Sequence, residues 1–336
     1  MVKFSLLVFL RAMKIGNTDL GKLPVILAPM EDITDPPFRL ICREMGASAV
    51  ITEFIAADGL IRDVGKSIRK LEFNEAERPL GIQLFGSATD SMLNAAYLAE
   101  EANPDFIDLN FGCPVRKIVN KGGGAALLQD ITLLLDITST IVKSVNKPVT
   151  VKTRLGWDDN SKIIVDLAER LQDLGIAALT IHGRTRAQMY SGQADWTLIG
   201  EVKNNPRMHI PIIGNGDITS VETAINASDK YGVDGIMIGR AAVGNPWLFR
   251  DIRDFLLTGT IPSPPDLNEK LAICRRHLAD SIAWKGEITA LLEMRRHYSH
   301  YFKALPDFKP YRMKLMTALN AGDVFSILDE IGNQYC

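Results

Sequence analysis

Short apolar runs recur along the chain, and most of them are apolar at consecutive positions rather than at alternate ones. Strands of this kind are buried on both faces, as in a parallel sheet. The runs begin about 25 to 42 residues apart, which is the length of one strand–helix unit. The eight predicted strands cover residues 23–28, 48–53, 80–85, 106–110, 148–153, 178–182, 210–214 and 235–239.

The stretches between these strands have apolar residues at helical spacing, as at 89–102, 125–144, 162–174 and 219–231. Eight strand–helix units in succession predict an α/β fold of the (β/α)8 TIM-barrel type. The competing fold is a doubly wound sheet, whose first strand would lead into G-x-G-x-x-G. That motif occurs nowhere in the sequence, and the barrel is therefore favoured.

The two ends of the chain differ from this repeat. A proline-rich linker at 260–266 is followed by helical patterning to the C-terminus. We therefore expect a barrel over 23–256 and a smaller C-terminal all-helical domain over 257–336. Residues 1–22 are an N-terminal extension and lead-in. Within them, residues 1–12 precede a second methionine and are interpreted as a start-site extension or a loose terminal segment.

The C-terminal part is more basic than the rest of the chain. The net charge of −2 gives no sign of a polyanionic partner for the chain as a whole. Residues 269–316, however, contain ten Lys or Arg against five Asp or Glu, with tyrosines interleaved. Such a surface is typical of an RNA-binding module, and a solvated helix face is the alternative interpretation. Arg295 and Arg296 form one of the basic clusters.

The four cysteines are far apart and form no C-x-x-C pair. This spacing argues against zinc, an iron–sulfur cluster or a disulfide framework, and it is typical of a reducing compartment. No apolar segment reaches the ~18 to 20 residues that span a bilayer. We therefore predict a cytoplasmic protein with no metal site and no membrane segment.

A barrel carries its functional residues at the C-terminal ends of its strands. Here those ends present amide, cationic and imidazole groups, which suit an anionic cofactor that forms hydrogen bonds. Lys152 lies in an otherwise apolar strand and needs an anion; the alternative is an ion pair with Glu53 or Asp108. For His182, the alternative interpretation is a histidine that belongs to the core rather than to a ligand site. The strand ends carry Pro29, Met30, Glu53, Gln83, Asn110, Lys152, His182, Asn215, Gly239 and Arg240.

Loops after the fourth, seventh and eighth strands carry further chemistry. Glycines and Arg240 follow the last two strands, where barrels often bind phosphate through backbone N–H groups. The alternative interpretation is that these glycines only form two tight turns, whose backbone needs a positive φ. With no dinucleotide motif, flavin mononucleotide (FMN) fits better than a bound dinucleotide. Cys113 lies between Gly112 and Pro114 after the fourth strand. An ordinary thiol pKa of about 8.5 keeps it protonated near neutral pH, so that it can act as an acid.

Five motifs together resemble the tRNA-dihydrouridine synthase family. They are APMEDITD at 28–35, NFGCP at 110–114, HGRTR at 182–186, GNGDI at 214–218 and GRA at 239–241. The C-terminal part is similar to the family more loosely, through MRRHY at 294–298. One departure is the pair Glu31 and Asp32, where many members have Ala-Gly; it adds two carboxyl groups near the flavin entrance.

The resemblance implies reduction of the C5=C6 bond of a specific uridine in tRNA, with FMN bound in the barrel and NADPH or NADH as reductant. It implies Cys113 as the proton donor and tRNA as the partner of a monomer. The implied FMN site consists of Pro29, Met30, Glu31, Gln83, Lys152, His182, Asn215, Gly216, Asp217, Gly239 and Arg240. The implied substrate contacts are Asn110, Arg184, Arg186, Arg295 and Arg296.

Three rival functions stay open from the sequence. The nearest is an FMN-dependent dihydroorotate or dihydropyrimidine dehydrogenase, which acts on a free pyrimidine and has no use for a basic helical appendage. The second is a catalytically silent tRNA-binding protein that keeps FMN for structure. The third is a barrel that binds a sugar phosphate without a flavin.

Overall fold

The computed structural model of the protein describes residues 12–303 and 305–335, and in them eight parallel strands close into a barrel. Each barrel strand pairs with its neighbours in chain order, and pairing of the second strand with the third closes the ring. The predicted barrel is therefore confirmed. The barrel strands are β3 (Val25–Leu27), β4 (Ala49–Ile51), β6 (Leu80–Phe85), β7 (Phe106–Phe111), β8 (Val149–Arg154), β9 (Ala178–His182), β10 (Ile212–Asn215) and β11 (Gly235–Ile238).

Helices surround the strands and continue beyond them to the C-terminus. Those of the barrel region are α1 (Pro36–Glu44), α2 (Ala57–Leu60), α3 (Gly65–Arg69), α4 (Thr89–Glu101), α5 (Arg116–Val119), α6 (Ile131–Ser144), α7 (Ile164–Asp173), α8 (Thr197–Asn204), α9 (Val221–Tyr231) and α10 (Trp247–Thr258). After them come α11 (Leu267–Lys285), α12 (Glu287–Tyr301), α13 (Lys309–Thr317) and α14 (Ala321–Tyr335). No helix of the described part is long and apolar enough to cross a membrane.

Local sequence signals set several helix ends. The Asp35 side chain accepts a hydrogen bond from the Phe38 amide and begins α1, with Pro36 at its first position. Ser220 caps α9 in the same way. Gly232, with a φ of 72°, ends α9 in the left-handed conformation that glycine adopts at little cost.

A hairpin beneath the barrel was not predicted from the sequence. The lead-in forms β1 (Ala12–Ile15) and β2 (Thr18–Lys22), which pair antiparallel. Met13, Ile15 and Leu20 of the hairpin pack in one cluster with barrel residues that include Phe106 and Met237. The hairpin therefore covers the end of the barrel from which the strands begin. The remainder of the predicted start-site extension, residues 1–11, lies outside the described part.

The C-terminal helices have an apolar core of their own and dock on α1. Their core cluster includes Trp247 of α10 together with Leu278, Met294 and Leu328.

A short two-residue strand, β5 (Ile55–Ala56), extends the sheet beside β6 on the barrel side.

Rings form the docking contact with α1. Phe38 stacks on His277 with 5.3 Å between ring centroids, and it meets the edge of His297 at 4.9 Å. Both histidines are buried, and burial is the main cause that lowers the pKa of His277 to about 3 and the pKa of His297 well below its ordinary value. The interface is therefore built for neutral imidazoles.

Acid should weaken the fold through these histidines. A histidine that stays neutral when folded but has a pKa of about 6.5 when unfolded contributes full stability above that pH, and the contribution falls as the pH drops below it. We expect His297→Phe to reduce the slope of unfolding free energy against pH between 6 and 5 by about 1.4 kcal/mol per pH unit. Urea unfolding at each pH measures this, with the exposed His209→Gln as the matched control. Equal slopes in wild type and His297→Phe would contradict the interpretation.

Candidate functional site

A pocket of about 940 Å³ opens at the C-terminal ends of the barrel strands. Its walls come from the loops after the strands and, on one side, from helices α11 and α12 together with Lys303 just after α12. Twelve of the residues predicted from the sequence line it. They are Pro29, Met30, Glu31, Asn110, Cys113, Lys152, His182, Asn215, Gly216, Asp217, Gly239 and Arg240.

Lys152 brings an uncompensated cation to this pocket. Its Nζ donates one hydrogen bond of 3.3 Å to the Oδ1 of Asn215, and no described carboxylate lies within ion-pair distance of it. Burial lowers its pKa to about 8, with Arg154 acting in the same direction and Asp108 against it. The alternative of an ion pair with Glu53 or Asp108 is wrong, because no such pair forms among the described residues. A partly buried cation in this state favours binding of an anion or an electron-rich ring.

The carboxyl group of Asp108 is held by hydrogen bonds instead. Its two oxygens accept from Thr150 at 2.5 Å and from Gln83 at 2.6 Å. Gln83 in turn accepts a bond of 2.8 Å from the side-chain amide of Asn110. Gln83 is fully buried and lies behind the wall of the pocket rather than on it, so its predicted contact with a cofactor stays a prediction. In the structure it links Asp108 to Asn110.

The loops after β10 and β11 form a concave, cationic surface. Gly216 has a φ of 128°, and a Cβ there would come within 2.6 Å of the Ala194 side chain. Asp217 accepts from Arg184 at 2.7 Å and from the Ala194 amide at 2.7 Å. Arg240 reaches Asp217 only at 3.5 Å, and its side chain is 57% exposed. Arg240 is therefore available to pair with a phosphate group beside the glycine backbone.

His182 faces the pocket as a neutral group. Burial, followed by the positive charges of Arg154 and Lys152, lowers its pKa well below the ordinary value. Its Nε2 lies 3.4 Å from Nη1 of Arg184. The ring is 8% exposed and lines the pocket, so it stands on the wall rather than in the core. A neutral imidazole beside several cations can bind a ligand without adding charge.

Cys113 is fixed through its main chain. Its N–H donates to Oδ1 of Asn110 at 2.9 Å, and its carbonyl accepts from the Ala125 amide at 3.0 Å. Gly124, with a φ of 59°, packs so closely that a Cβ there would lie 2.8 Å from the Cys113 carbonyl oxygen. This close approach explains why glycine is required at position 124, the last of the three consecutive glycines at 122–124. Burial raises the pKa of the Cys113 thiol, against the effects of Arg154 and Lys152, so the thiol is protonated at neutral pH.

Four predicted arginines lie outside the pocket wall. Arg184 is buried, and it also donates to the carbonyl oxygens of Ser191 and Gly192. Arg186 stacks on Trp157 with its guanidinium 4.3 Å from the ring centroid. The contacts of these arginines with a substrate stay predictions.

The two C-terminal arginines of this group belong to the helical part. Arg296 pairs with Asp32 of the barrel at 3.1 Å. Arg295 donates a long bond of 3.4 Å to the Ala318 carbonyl. Arg296 thus holds α12 to the barrel in the structure, and its predicted contact with the substrate likewise stays a prediction.

Three carboxylates cluster where the sequence departs from its family pattern. Oxygens of Glu31, Asp32 and Glu53 lie within 4.8 Å of one another. Lys70 pairs with Glu31 at 2.6 Å, and Arg296 pairs with Asp32. Burial raises the pKa of Glu53 to about 7, with Lys70 opposing the shift. Each of the two extra carboxylates is thus paired with a cation.

Several lining residues escaped the sequence analysis. Arg154 and Tyr190 line the barrel side, while Lys270, His300 and Lys303 line the helical side. Arg154 is detectable in principle, because side chains two apart on a strand share a face and Lys152 was already singled out. Nothing in the sequence indicates which face of α11 and α12 turns towards the barrel.

Comparison with known proteins bears on this site. The sequence model of the family described as "Dihydrouridine synthase (Dus)" matches residues 26–331. The tRNA-dihydrouridine synthase B of Pseudomonas putida is 39% identical over 304 residues, which are 90% of this chain and 89% of the relative. The protein of the same name from Pseudomonas aeruginosa is 38% identical over 289 residues, covering 86% of each chain.

Solved structures resemble the fold at low identity. A mutant of morphinone reductase in complex with tetrahydroNAD matches with a TM-score of 0.53 and 14% identity, over 77% of this chain and 92% of that chain. Histamine dehydrogenase from Rhizobium sp. 4-9 matches with a TM-score of 0.57 and 13% identity, over 80% of this chain and 50% of that chain. At these identities the likeness concerns the barrel fold alone.

The close packing at Gly216 gives a test of the loop. Gly216→Ala adds both an unfavourable positive φ and a contact at 2.6 Å, whereas Gly21→Ala adds only the positive φ because nothing lies within 4 Å. We expect Gly21→Ala to cost about 1–2 kcal/mol of unfolding free energy, and Gly216→Ala to cost about 1–3 kcal/mol more. Urea unfolding of the two variants measures the difference. Equal losses of unfolding free energy in the two variants would mean that the loop after β10 accommodates the added methyl group with no loss of stability.

Proposed function

The chain belongs to the dihydrouridine synthase family, and from this premise we propose that it reduces a uridine of tRNA to dihydrouridine in the pocket at the barrel mouth. The protein is an oxidoreductase, and tRNA is its substrate. One observation supports the placement of the reaction: the thiol of Cys113 and the uncompensated cation of Lys152 line the same pocket.

The residues of the pocket fit a flavin, and we propose that this flavin is FMN. Lys152 is a half-buried cation with a single hydrogen bond, which suits the electron-rich edge of the flavin ring. The backbone at Gly216 and the exposed guanidinium of Arg240 suit a terminal phosphate. Asn215 would contact the ring beside Lys152, and NADPH or NADH is the proposed reductant. When bound, the flavin supplies a hydride to C6 of the uracil.

The protein supplies the proton and the orientation. Cys113 donates its proton to C5 of the uracil, because burial keeps the thiol protonated and a positioned acid contributes ~10²–10⁴-fold. Asn110 holds the Cys113 amide and faces the same pocket, so its remaining hydrogen-bonding capacity is available to the uracil edge. After transfer, Lys152 and Arg154 are the nearby cations that favour the thiolate.

The helical side of the pocket is the proposed site for the tRNA backbone. Lys270, His300 and Lys303 line it, and none of them has an ion-pair partner among residues 12–303 and 305–335. The ammonium groups of Lys270 and Lys303 face an open pocket and suit the phosphates on either side of an extruded nucleotide. We therefore propose a barrel over 23–256 and a tRNA-binding helical domain over 257–336, acting as a monomer in the cytoplasm. The described cysteines are unpaired, as in a reducing compartment.

The rival dehydrogenase acting on a free pyrimidine is not favoured. Such a substrate carries no phosphate chain for Lys270 and Lys303 to bind. A catalytically silent protein that binds a flavin for structure is equally disfavoured. Such a protein has no use for a thiol whose residue is held by hydrogen bonds at both its N–H and its carbonyl group.

The function is tested with unmodified tRNA, FMN-loaded protein and NADPH, followed by mass spectrometry of the digested nucleosides. We expect dihydrouridine in tRNA, and none from free uridine or orotate offered in parallel. Cys113→Ala should retain FMN and tRNA binding but lose at least ~10²-fold in turnover, because the acid is absent. Turnover of a free pyrimidine alone, or normal turnover in Cys113→Ala, would contradict the proposal.

Lys270 of α11 and Lys303, just after α12, should strengthen the binding of tRNA. Lys270→Gln combined with Lys303→Gln should raise the Kd for tRNA and reduce the slope of log Kd against log salt by about two, roughly one for each cation removed. The matched control is Lys22→Gln with Lys230→Gln, which removes two exposed lysines outside the pocket. Equal salt slopes in the two double variants would rule out the proposed contact.

A further inference from the structure

The corner between α11 and α12 is held on the barrel by one buried lysine side chain. Lys285 is the last residue of α11, and its side chain is 7% exposed. Its ammonium group pairs with Asp35 of the barrel region and with Glu293 of α12. Lys285 lies outside the wall of the pocket. One cation therefore joins α11, α12 and the barrel at a single point.

Asp35 receives this lysine with only one of its two carboxylate oxygens. Its Oδ1 accepts from the Phe38 amide at 3.0 Å and caps α1, whereas its Oδ2 accepts from Nζ of Lys285. The carboxylate is itself buried. The loop that ends at Asp35 begins with Pro29 and Met30, which line the pocket. The corner is thus docked on the loop that leads from the pocket into α1.

Two hydrogen bonds at the surface hold the same corner. The guanidinium of Arg69 donates to the carbonyl oxygen of Trp284 at 2.9 Å, and Nε1 of Trp284 donates to Glu72 at 3.3 Å. Both bonds are exposed to solvent, where a single contact contributes little. The buried pair of Lys285 and Asp35 is therefore the contact that restricts the corner most.

Helix α12 carries any tilt of this corner to the pocket. It begins at Glu287, just after the corner, and its other end lies at the pocket, where His300 and Lys303 form part of the wall. With 15 residues it is about 22 Å long, so a tilt of about 5° at the corner moves the far end by about 2 Å. A misplacement of about 1 Å can cost an enzyme about 10²-fold in rate.

We propose that the pair of Lys285 and Asp35 determines specificity: it fixes the distance between the tRNA-binding lysines of the helical domain and Cys113, and thereby selects the uridine that is reduced. This inference rests on the proposed function, since it concerns which uridine of tRNA enters the pocket. Both members of the pair are positioning residues, because they act through α12 and line no part of the pocket. A buried ion pair suits this role, since only one good geometry offsets the loss of water around both charges.

The test compares Asp35→Asn with Glu44→Gln. Both changes replace a carboxylate at one end of α1 by an amide, and both break an ion pair with α11, because Glu44 pairs with Arg276 at 2.5 Å. The control pair is exposed on both sides. Asparagine caps a helix about as well as aspartate, so Asp35→Asn keeps the start of α1. Lys285 also keeps its partner Glu293, so its charge is not left alone.

Mass spectrometry of nuclease fragments maps dihydrouridine after a single turnover on unmodified tRNA. We expect Asp35→Asn to lower the rate at the preferred uridine by about 10- to 10²-fold, as for a misplacement of about 1 Å. The preference for this uridine over the others should fall by a similar factor, since specificity is a ratio of rates. Flavin reduction by NADPH should change less than about threefold, because Asp35 does not line the pocket. Glu44→Gln should match wild type in rate and in position.

A double-mutant cycle identifies the pair as the cause. Lys285→Met breaks the same contact from the other side and leaves the cap of α1 untouched, so it also carries the test if Asp35→Asn does not fold. The combined variant should lose little more preference than either single variant. Urea unfolding of each variant is a separate readout, because a merely structural role lowers stability but leaves the positions of dihydrouridine unchanged.

Two results would overturn the inference. The first is a distribution of dihydrouridine in Asp35→Asn and Lys285→Met that equals the distribution in Glu44→Gln. The second is an equal loss in flavin reduction, tRNA binding and turnover, which indicates general damage to the fold. Both results presuppose that the wild-type protein forms dihydrouridine in tRNA. A wild-type protein that forms none contradicts the proposed function instead, so the two failures are distinguishable.

Discussion

A half-buried ammonium group without a carboxylate partner is the constraint around which the pocket is arranged. Lys152 keeps only the oxygen of Asn215 as a neighbouring acceptor among the residues that the structure describes. The nearby acids are engaged elsewhere: Asp108 by Gln83 and Thr150, Glu53 by the Asp32 amide, and Asp217 by Arg184. Burying such a charge costs free energy, and the lowered pKa of Lys152 reflects that cost. The site therefore favours an anionic or electron-rich ligand.

Lys152 and its neighbour Arg154 also affect the pKa of the Cys113 thiol. Burial alone would push the pKa of Cys113 upward, and Lys152 and Arg154 limit that rise. A thiol in this balance is protonated when the substrate arrives and has cations near it once the proton has left. In the proposed function, cofactor binding and proton transfer would thus both depend on residues of β8. The ring centroid of Tyr190 lies 5.8 Å from the guanidinium carbon of Arg154 and 5.0 Å from that of Arg240.

The barrel strands and the position of Cys113 at the pocket could be predicted from the sequence because each depends on local chemistry. Runs such as 80–85 are apolar on both faces, and Cys113 lies between Gly112 and Pro114 directly after another such run. The partners of arginines could not be predicted, because they depend on which helix faces which loop. Arg296 is a clear example, since its basic cluster indicated RNA whereas its partner is Asp32, 264 positions away. The hairpin of residues 12–22 was missed because its strands are too short for alternation to stand out.

The most direct test is a crystal structure of the FMN-loaded protein. The account predicts the flavin phosphate at Gly216 and Arg240, the ring edge against Lys152, and the Cys113 thiol facing the ring across a gap of about 7 Å, enough for one base in van der Waals contact with both. A flavin bound with its phosphate elsewhere, or a Cys113 side chain turned away from the ring, would contradict it.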